Sequence, residues 1–113
     1  MAMTQFNSVA SGNQTIPNGT FSWDPVSNTF QGGFLCVNPK TQNQATLTIQ
    51  QTGNASNTCA FLALQDSGMG PFHFKGTYSA NQITGTAGKG ATGAGDDDNW
   101  TAEAGPGGPP KED

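Results

Sequence analysis

The sequence predicts an all-β domain, a small antiparallel meander closing into a β-barrel or sandwich of about 6–8 strands. Three observations lead there. No segment sustains a helical period. Short runs of alternating apolar and polar residues recur, punctuated about every eight to twelve residues by turn chemistry. Hydrophobic residues make up 33% of the 113, a low share, with Gly, Asn, Gln, Thr and Ser supplying the rest. Runs such as CAFLAL (59–64) are nonetheless too apolar to stay solvated, so the chain is expected to fold around one core.

Taken in order, the candidate strands are TFSW (20–23), TFQGGFLCV (29–37), ATLTIQQ (45–51), TCAFLALQ (58–65), PFHFKGTY (71–78), QITGTAGK (82–89) and NWTAEA (99–104). Between them lie DPVSN, NPKTQN, TGNASN, DSGMG and SANQ, each carrying the Pro, Gly, Asn or Asp that turns require. Centring a hairpin on each turn sets Leu35 opposite Leu47, Leu47 opposite Leu62, Phe72 beside Leu64, and Tyr78 against Ile83. The expected apolar face then comprises Leu35, Val37, Ala45, Leu47, Ile49, Ala60, Leu62, Leu64, Phe72, Phe74, Tyr78 and Ile83. Phe34, Cys36, Thr46, Thr48, Gln50, Cys59, Phe61, His73 and Lys75 fall on the other, mixed face. A slip of one residue in a strand would turn its side chains over. The domain is expected to span residues 1–105, with the Gly/Pro tail 106–113 disordered.

Charge narrows the partners. Eight acidic residues against four lysines and no arginine give a net charge of −4, which argues against nucleic acid and anionic membranes as partners. No stretch approaches the roughly 20 apolar residues of a membrane span. The N-terminal MAMTQFNSVASGNQT lacks a basic start and an apolar h-region, so the expected location is cytoplasmic, or outside the cell by a route without a classical signal peptide.

Four features could carry chemistry. His73, the single histidine, alternates with Phe72 and Phe74 and so points away from the apolar face. No nucleophile or carboxylate lies near it in sequence, so it reads as a strand residue, no catalytic residue is expected, and the protein is expected not to be an enzyme. The expected registers put Cys36 and Cys59 two strands apart and about 16 Å distant, too far for a disulfide, which predicts two buried free thiols. Asp96, Asp97 and Asp98 could contribute oxygens to Ca²⁺, but their spacing fits no metal loop; a solvated acidic loop is the simpler reading, and neither metal nor cofactor is expected. Trp100 after Asp97, Asp98 and Asn99, and Trp23 before Asp24, each pair an indole with polar acceptors at a strand end. Sugars stack on such rings while carboxylates and amides take their hydroxyls. The alternative is that both indoles plug the core.

MGPFHFKGT (69–77) and, about 25 residues upstream, GGFLCVNPKTQNQATLTI (32–49) resemble recurring elements of the Oscillatoria agglutinin family of high-mannose-binding lectins, which are small antiparallel barrels. The likeness covers residues 32–78. The family's sugar loops carry a tryptophan–glycine–glycine element and an arginine; residues 85–99 here have glycine and aspartate instead, and no tandem repeat is present. The resemblance implies a lectin-like carbohydrate-binding barrel; the pairing of indoles with polar acceptors puts its glycan or small polar ligand on Trp100, Asp97, Asp98 and Asn99, with Trp23 and Asp24 as further candidates. Two other readings stand beside it. One is a calycin-like barrel enclosing a small molecule near Phe34, Phe61, His73 and Lys75. The other is a structural module, a homo-oligomer assembled through edge strands.

Overall fold

In a computed structural model of the protein, residues 3–10, 16–37, 43–64, 71–91 and 98–105 are described. Eight strands follow one another: β1 (Thr4–Ala10), β2 (Gly19–Asp24), β3 (Thr29–Val37), β4 (Gln44–Gln51), β5 (Thr58–Leu64), β6 (Phe72–Ser79), β7 (Gln82–Lys89) and β8 (Asp98–Ala104). Each pairs antiparallel with the next, and β1 also pairs with β8, so the meander closes into a barrel in plain sequence order. Seven of these strands coincide, within a residue or so, with the runs expected above. β1 is the addition. Its inward residues are Phe6, Ser8 and Ala10, of which one is large, so TQFNSVA shows little apolar alternation.

Closure has a consequence for assembly. Every strand is hydrogen-bonded on both sides, so the barrel offers no open edge, and the expectation of oligomerisation through edge strands is corrected. Among the described residues no helix is long and apolar enough to cross a membrane.

Of the four expected pairings one is observed and three are shifted: Leu35 lies opposite Thr46, Leu62 opposite Gln50 and Phe72 opposite Ala63. Tyr78 does oppose Ile83, across a two-residue turn whose Ala80 and Asn81 both have positive φ (53° and 64°). β4, β6 and β7 therefore turn the expected faces inward. β3 and β5 are reversed: Phe34 opposes Leu47, Cys36 opposes Ala45, and Phe61 opposes Phe74. Phe34, Cys36, Cys59 and Phe61 are fully buried, while Leu35, Leu62 and Leu64 lie half-buried on the outside. Both strands are apolar on both faces, so alternation could not choose between them; the two phenylalanines supply the bulk that fills an eight-stranded interior. Between β2 and β3 the register shifts around Gly32, whose φ of +77° makes room for a bulge.

The interior is built of rings. Phe6, Phe21, Trp23, Phe34, Phe61, Phe74 and Trp100 are at most 2% exposed. Phe6 stacks on Phe21 at 5.5 Å and Phe61 on Phe74 at 4.8 Å, while Tyr78 meets both Phe6 and Trp23 edge-on. Burying each such side chain contributes about 2–3 kcal/mol before the ring geometry adds its part.

Candidate functional site

The two ends of the barrel differ. β1, β3, β5 and β7 run one way and their partners the other, so the connections 11–18, 38–43, 65–71 and 90–97 all leave one end, the loop end. The links 25–28, 52–57 and 80–81, with the start of β1 and the finish of β8, occupy the turn end.

Of the six residues expected to hold a ligand, the five that are described do not converge. Thr4 pairs with Trp23 and Ala10 with Trp100, so the backbones of the two tryptophans lie level with opposite ends of β1. Trp23 and Asp24 belong to the turn end; Asp98, Asn99 and Trp100 belong to the loop end. Asp97 and Asp96, like the tail 106–113, lie outside the described residues. Neither indole is a stacking platform. Both are fully buried in the core, so of the two readings left open by the sequence it is the core plug, not the exposed ring, that describes them. Their N–H groups are spent internally as well: Trp23 Nε1–H donates to Asn28 Oδ1 at 2.9 Å, and Trp100 Nε1–H donates to the buried Ser8 Oγ.

The enclosed-ligand set is not brought together either. Phe34 and Phe61 face inward, whereas Lys75 is exposed outside and His73 is half-buried there, its Nδ1–H donating to the Gly90 carbonyl at 2.9 Å. Both cysteines are free and buried, as the sequence predicts, although the strand neighbours differ: Cys36 lies opposite Ala45 and Cys59 opposite Gly76. Burial pushes the Cys36 thiol up to about 11 and raises Cys59 further. Among the described residues no group of three His, Cys, Asp or Glu side chains could hold a metal ion.

The turn end is knitted together by side-chain amides. Asn28, with φ of 55°, closes the DPVSN turn through its N–H to the Asp24 carbonyl at 2.8 Å. Its Nδ2 donates to the Ala55 carbonyl, and its own carbonyl accepts from Gln51 Nε2, which also reaches Gly53 O. Turns 25–28 and 52–57 are thereby tied to each other and to Trp23. Asp24 accepts from the Ser27 hydroxyl at 2.8 Å and from the Val26 N–H at 3.0 Å, and these bonds, the hydroxyl first, hold its carboxyl below the ordinary 3.8. Tyr78 Oη donates to Asn81 Oδ1, and the rings of Phe30 and Tyr78 are partly exposed at this end. Beside them Gln51, Thr52, Gly53 and Asn54 line an open depression of about 390 Å³. Sequence reading missed Asn28, Gln51, Thr52 and Asn54. The available signal was an asparagine closing each turn, at positions 28 and 57, a residue type that tolerates positive φ.

The loop end is different in kind. Small inward residues gather toward it: Ala10, Gly19, Ala45, Ala63 and Ala87. Ile16 folds into the core here, and the Phe34 ring lies where a Cβ on Gly19 would stand. Asp98 opens β8 on the inward side, opposite Ala87 and two residues before Trp100. Its Oδ2 is buried without a hydrogen-bond partner.

Fold and sites together define a closed, eight-stranded up-and-down barrel with one knitted end and one end of longer connections. Compared with protein-family models, curated proteins and solved structures, the chain matches none.

Proposed function

We propose that the protein is a non-catalytic carbohydrate-binding barrel module whose sugar site lies at the turn end. The observation that carries this reading is the depression of about 390 Å³ lined by Gln51, Thr52, Gly53 and Asn54. Its side chains are neutral amides and a hydroxyl, groups that donate and accept as sugar hydroxyls do. The partly exposed rings of Phe30 and Tyr78 at the same end offer apolar surface for a sugar's C–H face. Asp24 stays with this end, whereas Trp23 supports it from inside, and Trp100, Asp98 and Asn99 take no part. The likeness of residues 32–78 to high-mannose-binding lectins points to the same ligand class.

A glycan array that includes mannose oligosaccharides tests the reading. Thr52→Ala and Asn54→Ala touch neither the Asn28 network nor the core, so each should weaken binding about fivefold, the loss of roughly one hydrogen bond, with Tm nearly unchanged. A wild-type protein that binds no glycan sinks the reading; binding that survives both substitutions places the site elsewhere.

A further inference from the structure

We infer that Asn18–Gly19 is a latent modification site, closed while β1 and β2 are paired and deamidated when they part. It is the single Asn-Gly step in the chain. At such a step the glycine nitrogen attacks the asparagine Cγ, a C–N bond forms, and the carboxamide nitrogen leaves as ammonia, carrying the proton that the backbone nitrogen gave up. Glycine favours the attack because it brings no Cβ to crowd the ring being formed. Water then opens the cyclic imide at either carbonyl and leaves aspartate or isoaspartate at position 18.

The folded barrel holds both reacting groups. The Ala10 N–H donates to Asn18 Oδ1 at 3.3 Å, which ties the half-buried carboxamide to β1. Gln5 O accepts from the Gly105 N–H just past β8, so the odd residues of β1 turn their backbone groups to β8 and the even ones to β2. Ser8 is even, and its partner on β2 is Gly19. The two therefore form a hydrogen-bonded pair, and the nitrogen that must attack is already donating to the Ser8 carbonyl. Separation of β1 from β2 frees nucleophile and electrophile together. The fold also fixes the vulnerable residue. A Cβ on Gly19 would stand 2.6 Å from the Phe34 ring and 2.8 Å from the Leu35 carbonyl oxygen, which is backbone and cannot swing away. Isoaspartate adds one main-chain carbon at the entry to β2. Gly19 can then no longer oppose both Ser8 and Cys36, so a barrel that has opened and reacted does not close again in register.

The full chain is incubated in mildly alkaline native buffer and, in parallel, in urea above the unfolding midpoint, and conversion at Asn18 is followed by peptide mass spectrometry. The native rate should be lower by about a hundredfold or more, and the slowdown should match the hydrogen-exchange protection of the Gly19 amide to within about tenfold, because both reactions need the same opening. Similar rates in the two conditions, or a slowdown that departs from that protection in either direction, overturn the proposal. Chains converted to isoaspartate in urea and then refolded should melt about 5 °C or more below wild type. Asn18→Asp brings the charge without the extra carbon, and its Oδ1 can still accept from Ala10, so it should melt within about 2 °C of wild type. Isoaspartate protein that melts like wild type, or an equal loss in Asn18→Asp, removes the one-way step and the proposal with it.

Discussion

Whether an indole is a binding surface or a core residue is decided here by one asparagine. Asn28 accepts the Trp23 N–H, donates to Ala55, and has its carbonyl capped by Gln51, all from a backbone at φ 55°. Asn28→Ala removes two side-chain hydrogen bonds, leaves the indole N–H unpaired and puts Ala where φ is positive, which should cost about 3 kcal/mol in urea unfolding. Asn28→Gly restores the backbone freedom and should cost about 1 kcal/mol less. Asp24 adds a pH signature to the same turn. Its carboxyl is held below 3.8 in the fold, chiefly by the Ser27 hydroxyl, so the stabilisation is fully present above that value and is lost as the pH falls below it. Urea midpoints measured from pH 6 to pH 2 should fall less steeply for Asp24→Asn than for wild type at the acid end; parallel curves would deny Asp24 that role. None of this was legible in "WDPVSN" beyond the turn itself. The aspartate and proline announce a turn, but what the indole bonds to depends on where Asn28 folds back.

At the level of elements, the β6–β7 hairpin was fully legible and the β3 and β5 faces were not. Two residues, Ala80 and Asn81, join strands with clean alternation, and the turn chemistry fixes the register. Ala80 nonetheless sits at φ 53° without the side chain that eases such a backbone, so Ala80→Gly should stabilise the protein by about 0.5–1 kcal/mol. Within the same hairpin Gly76 pairs with Gly85, and a Cβ on Gly85 would stand 1.9 Å from the Lys75 carbonyl oxygen. Backbone cannot yield as a side chain can, so Gly85→Ala should cost about 3 kcal/mol, read from the shift in the denaturation midpoint at constant m. β3 and β5 carry apolar residues at consecutive positions, and the turn 52–57 is asymmetric: Gln51 pairs with Phe61, not with a residue nearer the turn. Composition shows that such strands are buried; which face goes inward is settled by ring volume across the whole barrel.

At the scale of the whole molecule, closure through β1 and β8 turns a list of strands into an interior, and the two thiols report on it. The separation of the cysteines was predicted from a register that proved reversed in both strands, yet the conclusion survives, because β4 still lies between β3 and β5. What changed is their side: Cys36 and Cys59 face into the barrel among the rings. With its thiol pushed up to about 11, Cys36 at pH 8 is ionised to about one part in a thousand, and Cys59 less still. Reaction with a disulfide reagent then requires both ionisation and access, and access requires that the barrel open. In native buffer neither thiol should react over hours, while in denaturant both should react within seconds and to two equivalents. As urea is raised, the labelling rates of Cys36 and Cys59 should converge on a single opening free energy equal to that of global unfolding, since in a closed meander no strand can leave without breaking two ladders. A Cys36 that labels markedly faster than Cys59 below the unfolding midpoint would show instead that β3 separates from its neighbours while the rest of the barrel stays shut.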